Sequence, residues 1–294
     1  MKSPFDPVPR MPIATRCALI LAALGTLAGS LGAQLATPGI QAPQRHLFTW
    51  EDAALGASFI VGTMAIRPLD KSAAHALQRP DRQTRRMYRR TASFVRTVAQ
   101  PGSTIIGLSM YGAGRLANND RLAAVGLHGT EALLLGGAVG TLMKDFFGRA
   151  RPFVDTTGPN PDDWQLLRGW DRGNRYQSFP SGHSTAAFAA AGAVTAETSA
   201  YWPGATYFLI GPVLYTGAAA VGLSRMYNNR HWASDVIMGA AIGTFAGMKV
   251  VRYSRIHPNN KPDQWLLNTT WIPGTGHLAF SIMPALGRFS SGRR

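Results

Sequence analysis

Residues 224–235 of the chain read SRMYNNRHWASD, and this stretch combines a histidine and a carboxylate at helical spacing. His231 and Asp235 are four residues apart, so a helix would make them neighbours on one face. The carboxylate would then accept one imidazole N–H of His231, which fixes the tautomer and leaves the other ring nitrogen free to attack. Arg225 adds a cation to the same stretch. The alternative is a structural histidine with satisfied hydrogen bonds.

A second stretch, residues 179–184, reads FPSGHS and precedes an alanine-rich segment. Ser181 is a favourable helix N-cap, and Gly182 lets the backbone approach a ligand closely. The unpaired N–H groups of a first helical turn bind anions, and a phosphate held there would meet His183 directly. On its own, the stretch indicates no more than a capped helix with a surface histidine.

A third stretch, residues 144–152, reads KDFFGRARP. Lys144 and Arg151 are seven residues apart, so two helical turns would direct both toward the same side. An ammonium and a bidentate guanidinium suit a tetrahedral oxyanion. Arg149 would lie on a different face and is not assigned to the site. Taken alone, the pair is more typical of a solvated basic face.

Together, the three stretches resemble the signature of the type 2 phosphatidic acid phosphatase (PAP2) superfamily, which includes bacterial acid phosphatases and vanadium haloperoxidases. The signature is Lys-x6-Arg-Pro, then Pro-Ser-Gly-His, then Ser-Arg-x5-His-x3-Asp, and every defining position is present in order. The resemblance covers about residues 101–255. It does not explain the first hundred residues or the last forty.

The resemblance implies a phosphatase in which His231 attacks phosphorus, Asp235 orients His231, and His183 protonates the leaving oxygen. A water then hydrolyses the phosphohistidine. Five groups are implied to bind the phosphoryl oxygens: Lys144, Arg151, Ser181, Gly182 and Arg225. No metal or other cofactor is expected, because these cations would neutralise the phosphoryl charge.

Two other functions compete with this interpretation. In a vanadium haloperoxidase the same residues would hold vanadate, with His231 as its axial ligand; the motifs do not separate the two, but the short chain favours the phosphatase. The third candidate is a non-catalytic protein that binds anionic lipid. Phosphatidic acid, polyprenyl diphosphate, lipid A phosphate and soluble phosphomonoesters all stay open as substrates. The aromatic-rich segment 153–179 is equally compatible with a lipid-contacting entrance and a packed loop.

Apolar segments rich in glycine and alanine predict an all-α, PAP2-type helical bundle. Helices are predicted at about 49–66, 104–117, 121–146, 184–200, 204–223 and 233–252, and the turn residues at 273–276 allow a small C-terminal β-hairpin. The predicted organisation is a signal peptide at 1–36, an N-terminal helical extension at 37–100, a PAP2 core at 101–255 and a linker and tail at 256–294.

The N-terminus predicts export. Lys2, Arg10 and Arg16 precede an apolar run that continues through small residues to Ala36, which is typical of a cleaved signal peptide; an uncleaved anchor is the alternative. Cys17 is the only cysteine, so no disulfide framework is expected. The expected location is the periplasm, in soluble or membrane-associated form. An integral membrane protein is the alternative, since a mean hydropathy of −0.03 is low for a polytopic chain.

The net charge of +15, from 30 Lys and Arg residues against 15 Asp and Glu residues, favours anionic partners. Between Asp81 and Ala99 the pattern predicts one amphipathic helix with an arginine face. Its arginines are Arg82, Arg85, Arg86, Arg89 and Arg90. An anionic membrane surface is the expected partner and nucleic acid is not; an ordinary solvated face is the alternative.

Overall fold

A computed structural model of the protein describes residues 46–155, 158–267, 269–271 and 278–280. The predicted signal peptide, Cys17 and the end of the predicted tail lie outside these residues. Four helices come before the predicted core: α1 (Trp50–Ile66), α2 (Asp70–Leu77), α3 (Pro80–Gln83) and α4 (Arg86–Thr97).

The remaining elements are α5 (Ser103–Leu116), α6 (Asp120–Phe147), α7 (Arg168–Arg172), α8 (Gly182–Ser199), α9 (Pro203–Ala205), α10 (Gly211–Tyr227), α11 (Ala233–Ile256), α12 (Lys261–Leu267), β1 (Thr269–Trp271) and β2 (Leu278–Phe280). Short 3₁₀ turns lie at Arg67–Leu69, Pro152–Val154 and Gly173–Tyr176, and π turns at Val98–Gly102 and Thr206–Ile210. The all-α bundle prediction is confirmed. The two strands pair antiparallel, with Thr270 opposite Ala279, so the small hairpin is also present.

Helices α8 and α11 form the centre of the bundle. Gly239 and Gly243 of α11 face α8, where an added Cβ would lie 2.6 Å from the Ser181 carbonyl oxygen and 2.2 Å from the Thr185 carbonyl oxygen. Glycine therefore lets the two backbones approach closely. The first residues of both helices are joined, because the Ser181 amide donates to the Asp235 carbonyl at 2.9 Å.

The N-terminal extension shares this core. Leu55 and Phe59 of α1 are buried in the same apolar cluster as Ile237 and Ala241 of α11. Near the start of α1, Asp52 forms ion pairs with Lys249 and Arg252 of α11. The extension and the predicted core are therefore packed together over the length of α1.

The helix that carries Lys144 ends earlier than the sequence analysis required. Gly148 adopts a left-handed conformation with φ of 53° and ends α6, because its amide still bonds to the Lys144 carbonyl while the chain turns away. Arg151 has an extended backbone outside the helix. The proposed two-turn spacing of Lys144 and Arg151 is therefore wrong, although both residues reach the same end of the bundle.

The predicted amphipathic helix between Asp81 and Ala99 is divided. Arg82 belongs to the single turn α3, and α4 begins only after Arg85. The arginines of α4 are exposed, as predicted. Ala92 is buried, but part of the apolar side is exposed as well, with 66% of Met87 and 69% of Phe94 accessible.

Three helical segments are long and apolar enough to cross a membrane: Asp120–Phe147, Pro203–Tyr227 and Ala233–Ile256. Only 33% of the apolar window in 203–227 is buried, against 78% in 233–256, so α10 lies at the periphery and α11 at the centre. Large apolar side chains such as Leu134, Leu142 and Phe208 are exposed on the outer helices. These features are those of a membrane protein, the alternative that the sequence analysis had ranked second.

Candidate active site

His231 lies in the short connection between α10 and α11, two residues before α11 begins. Its Nδ1 lies 2.7 Å from the Ser178 carbonyl oxygen, and 3.7 Å from Asp235 Oδ2. A carbonyl only accepts, so Nδ1 carries the proton and Nε2 keeps its lone pair. The expected outcome, one nitrogen fixed and the other free, holds. However, the hydrogen-bond acceptor is the Ser178 backbone rather than the Asp235 carboxylate.

Asp235 is fully buried and engaged on both oxygens. Oδ2 accepts from Ser178 Oγ at 2.6 Å and from the Trp232 amide at 2.8 Å, and Oδ1 accepts from Arg149 Nη1 at 2.5 Å. Asp235 therefore positions His231 mainly through the loop that carries Ser178. Ser178 lies just before the motif at 179–184, and the sequence analysis did not assign it a role.

Arg149, which the sequence analysis did not assign to the site, has a different role in the structure. Its side chain is 0% exposed, and its guanidinium donates to Asp235, to Ser234 Oγ at 2.8 Å and to Asp70 Oδ2 at 2.7 Å. Its Nε and Nη2 also donate to the Pro161 carbonyl at 3.0 and 2.8 Å. Because α6 has already ended at Gly148, the helical-face argument against Arg149 does not apply.

Asp70 completes this arrangement from α2, in the region that the motif resemblance left unexplained. Its Oδ1 accepts from the Ser234 amide at 2.9 Å, and its Oδ2 accepts from Ser234 Oγ and Arg149. Burial raises the pKa of the Asp70 carboxyl, and the Arg149 charge opposes that shift. We call Asp70, Arg149, Ser234 and Asp235 the supporting cluster.

The three predicted cations approach the same end of the bundle from different elements. Lys144 comes from the last turn of α6, and its Nζ would be 2.6 Å from a Cβ added to Gly182, so this glycine makes room for the ammonium. Arg151 precedes the turn at Pro152–Val154, and Arg225 lies near the end of α10. Arg151 and Arg225 are buried and Lys144 is half-buried, and burial strengthens the attraction between a cation and a bound anion.

Two of these arginines have unused donors. Arg151 Nη2 donates to the Gln177 carbonyl at 3.2 Å, but its Nε is buried and has no partner among the described residues. The Nε of Arg225 is likewise buried and unpaired within the described part of the chain. Buried donors without partners are rare in proteins, so these two atoms mark a position where a ligand would accept.

Ser181 is the N-cap of α8, as predicted. Its Oγ accepts from the Ser184 amide at 3.4 Å and from Ser184 Oγ at 2.8 Å. Because both acceptor positions are engaged, the Ser181 hydroxyl proton is free to donate. The amides of Gly182 and His183 are in the first helical turn, whose N–H groups have no partner within the helix.

Both histidines are held in the neutral form. Burial, followed by the charge of Arg225, lowers the pKa of His183 to about 3. Burial also lowers the pKa of His231 to about 3, although Asp235 opposes the shift. Neutral imidazole is the form in which His231 Nε2 is a nucleophile. We call His183, His231, Lys144, Arg151, Ser181, Gly182 and Arg225 the phosphate site, after the role that the motif resemblance implies for them.

Two further arginines contribute positive charge near this site. The charge of Arg230, after burial, lowers the pKa of Arg151 to about 10, and the charge of Arg96 on α4 contributes to the shift of His183. Arg230 also lies over the Phe153 ring, with its guanidinium carbon 4.7 Å from the ring centre. Neither residue was assigned by the motifs.

The segment 153–179 is both a packed loop and an exposed surface. Trp164 and Phe179 stack edge to face with ring centres 5.1 Å apart, and the Arg149 guanidinium lies 4.4 Å from the Trp164 ring. In contrast, Leu166 and Trp170 are largely exposed. The residues around Trp164 are therefore a packed loop, and a lipid-contacting entrance at Leu166 and Trp170 stays a prediction.

Residues 127–257 match the sequence model of the PAP2 superfamily. This segment contains the whole phosphate site and every residue of the supporting cluster apart from Asp70. This match agrees with the resemblance that the motifs predicted.

Two relatives are named for phosphatases. Over 114 residues the chain is 40% identical to a lipid A 1-phosphatase of Porphyromonas gingivalis, covering 39% of this chain and 20% of that protein. Over 175 residues it is 30% identical to a protein of Schizosaccharomyces pombe named probable diacylglycerol pyrophosphate phosphatase 1, covering 51% of this chain and 60% of the other. The chain thus spans a fifth and three fifths of these relatives' lengths.

Among solved structures, the chain is similar to a transmembrane PAP2 type phosphatidylglycerolphosphate phosphatase from Bacillus subtilis. The TM-score is 0.49 at 18% identity, over 69% of this chain and 94% of that one.

Proposed function

We propose that the protein is a phosphoric ester hydrolase that removes phosphate from lipid phosphates through a phosphohistidine on His231. The observation that carries this proposal is the pairing of a neutral, fixed His231 with two buried arginines whose Nε atoms have no partner among the described residues. A tetrahedral phosphoryl group supplies the acceptors that these donors lack. Its bound position would lie beside the only ring nitrogen of His231 that can attack.

In the first step, His231 Nε2 forms a bond to phosphorus while the bond from phosphorus to the leaving oxygen breaks. His183 gives its proton to that oxygen, so an alcohol departs. In the second step, a water attacks the phosphohistidine, His183 takes back a proton, and inorganic phosphate and free His231 result. Lys144, Arg151 and Arg225 stabilise the charge on the equatorial oxygens in both steps.

The proton on His183 depends on the substrate. Burial lowers the pKa of His183 in the free protein, and the surrounding cations lower it further, so the imidazole is neutral. A bound phosphate brings negative charge to the same place, and a nearby opposite charge favours the protonated imidazole. Substrate binding therefore favours protonation of His183, so the general acid carries its proton when the leaving group is bound.

The chemical step is assigned to the cations of the chain, without a metal. Support comes from Asp70 and Asp235, because both carboxylates are bound to Arg149 and so are poor candidates for metal ligands. The buried ammonium and guanidinium groups supply the charge neutralisation that a magnesium ion supplies in other phosphoryl transfers.

A lipid substrate is supported by the surroundings of the site. An apolar groove lies between α4 and α10, lined by residues including Leu77, Val95 and Leu223, with Arg82 and Arg85 among its lining residues. Ser224, beside Arg225 in the chain, also lines it. An acyl or prenyl chain in this groove would leave its phosphate near the buried cations. The names of the two relatives point to the same substrate class.

We further propose that the protein is exported, with its arginine surface on α3 and α4 facing anionic lipid. The basic N-terminus followed by an apolar run supports export. The exposed arginines and the exposed apolar residues of α4 support contact with a negatively charged membrane surface.

The test is phosphate release by the detergent-solubilised protein from a panel of lipid phosphates, lipid diphosphates and soluble phosphomonoesters. We expect turnover of at least one lipid substrate with excess EDTA present, and inhibition by orthovanadate, whose trigonal-bipyramidal adduct resembles the transition state. A strict requirement for magnesium would refute the metal-free step. Bromide oxidation by peroxide in the presence of vanadate would establish the haloperoxidase instead, and binding of lipid phosphate without release would leave a non-catalytic protein.

A further inference from the structure

A second buried cluster of titratable side chains lies away from the phosphate site. His128 and Glu131 are one turn apart on α6, Glu197 is in the last turn of α8, and Asp263 is on α12. One nitrogen of His128 and one oxygen each of Glu131 and Asp263 all lie within 4.8 Å of one another. Along α6, His128 is roughly 24 Å from Lys144 at 1.5 Å per residue, so the two sites are separate.

The imidazole of His128 is held in one orientation by a carboxylate. Its Nδ1 lies 2.5 Å from Glu197 Oε1, and both side chains are buried. Donation of the Nδ1 proton to Glu197 leaves the lone pair on Nε2. A carboxylate behind a histidine in this way is the usual arrangement at protein metal sites, because it fixes the tautomer and raises the basicity of the ligating nitrogen.

The atoms in front of His128 have the spacing of ligands around one ion. Asp263 Oδ2 accepts hydrogen bonds from Ser254 and Asn260, so Oδ1 is the oxygen that faces His128 Nε2, at 3.4 Å. That distance is long for an N–H···O hydrogen bond. It is close to roughly 3.3 Å, the separation of two ligands that each lie about 2.0 Å from a tetrahedral zinc ion.

The charges of the cluster also point to a divalent cation. Glu131, Glu197 and Asp263 bring three carboxylates to a partly or fully buried position. Among the described residues, Arg255 lies beside them, with Nη2 3.9 Å from Glu197 Oε2. Carboxylates therefore outnumber the arginine in this cluster, and a divalent ion between Glu131 and Asp263 would offset buried negative charge that is costly without compensation.

We propose that His128 Nε2, Glu131 and Asp263 bind a divalent transition-metal ion, with zinc as the best match, and that Glu197 is the residue that positions His128. An imidazole with carboxylates suits zinc. Magnesium prefers an octahedral set of oxygens and is a poor match. Because the ligands come from α6 and α12, the ion would fasten α12 to the bundle. This structural role is independent of the proposed phosphatase activity.

The first experiment measures zinc binding by the full-length protein in detergent. Protein stripped with a chelator and then exposed to zinc chloride should retain about one zinc per chain after gel filtration. Glu131→Gln, at a partly exposed position, should lower zinc affinity at least tenfold, and Glu197→Gln by roughly 10- to 100-fold, as for other residues that orient a ligand. The exposed His75→Ala is the matched control and should bind zinc as the wild type does.

The second experiment uses cobalt and thermal unfolding. Cobalt bound in place of zinc should give the visible absorption bands of a tetrahedral nitrogen and oxygen site, and His128→Gln should lose them. Zinc should raise the Tm of the wild type and magnesium at the same concentration should not. If His128→Gln does not fold, the zinc affinity of Glu131→Gln is the deciding measurement. Absence of zinc uptake by the wild type, or equal affinity in wild type, Glu131→Gln and Glu197→Gln, would overturn the proposal.

Discussion

Arg149 and Arg151 are two residues apart and both buried, yet their surroundings differ completely. Arg149 donates to two carboxylates, a hydroxyl and a carbonyl of the supporting cluster and its loop. Within the described residues, the Arg151 side chain donates one hydrogen bond and its buried Nε has no partner. A buried guanidinium with all partners in place stabilises the arrangement of its neighbours, whereas one with unused donors is prepared to bind an anion.

The same contrast separates the supporting cluster from the phosphate site as a whole. The supporting cluster has two carboxylates for one guanidinium and is internally satisfied. The phosphate site has several cations and, within it, no carboxylate. Changes in the supporting cluster should therefore reduce stability first, and changes in the phosphate site should reduce activity first.

The largest effect is expected for His231→Ala. Loss of the nucleophile should lower turnover of every substrate by roughly 10⁴-fold or more, because no phosphoenzyme can form. Steady-state kinetics and acid-labile labelled phosphate on trapped enzyme are the measurements. The exposed His75→Ala should be fully active. Labelled phosphoenzyme persisting in His231→Ala would assign the nucleophile to another residue.

His183→Ala should discriminate between leaving groups. For an alkyl or lipid phosphate, loss of the general acid should cost roughly 10²- to 10⁴-fold in kcat. A nitrophenyl ester, whose leaving group needs little protonation, should lose much less. The ratio of the two losses is the measurement, and equal losses on both esters would contradict the assignment of His183 as the acid.

Arg151→Ala tests whether the phosphate site contributes to activity rather than to stability. We expect kcat/KM to fall by roughly 10²- to 10³-fold, as for the loss of one donor to a transition-state oxyanion, with little change in Tm. The exposed Arg172→Ala is the control. A large loss of stability with retained kcat/KM would place Arg151 with the supporting cluster.

Arg149→Met tests whether the supporting cluster contributes to stability. It leaves Asp70 and Asp235 buried without their cation, which should cost about 3–5 kcal/mol of stability. The control is Arg67→Met, since the exposed pair of Arg67 with Asp162 should contribute no more than about 1 kcal/mol. Denaturation in detergent compares the two. Equal stabilities of both variants would show that the supporting cluster does not hold the site together.

A smaller effect concerns pH. Because the folded pKa of His183 and of His231 is lowered to about 3, the unfolded chain binds more protons between about pH 3 and the usual histidine range. Stability is therefore complete above about pH 6.5 and declines as the pH falls toward 3. Tm against pH should be shallower for His183→Gln than for the wild type, and the exposed His75→Gln should not differ from wild type. An unchanged slope in His183→Gln would mean that His183 is not held neutral.

The smallest effect is expected at the arginine surface of α4. Phosphatidylglycerol added to the detergent-solubilised protein should raise Tm more than phosphatidylcholine does, and salt should weaken the difference. Reversing charge at Arg86, Arg89 and Arg90 should remove it. If the variant responds as the wild type does, α4 is an ordinary solvated face.

Much of the fold and of the candidate site could be read from residue patterns. Helix spans at 50–66, 103–116, 120–147, 182–199 and 233–256 agree with the predicted ones, because long apolar segments and capping residues such as Ser181 act locally. The phosphate-site residues were assigned because three stretches resemble the PAP2 signature, and the structure brings those stretches to one end of the bundle.

What surrounds those residues was decided only by tertiary structure. Gly148 ends α6 and directs Arg149 inward, where it meets Asp70 from far earlier in the chain; no local pattern links positions 70 and 149. The acceptor for His231 is a backbone carbonyl, which every residue has and which sequence therefore does not mark. Local sequence determined which chemical groups were available, and the packing of α2, α6, α8 and α11 determined which became ligand-binding donors and which became structural partners, since a buried polar group is defined by what lies within hydrogen-bonding distance of it.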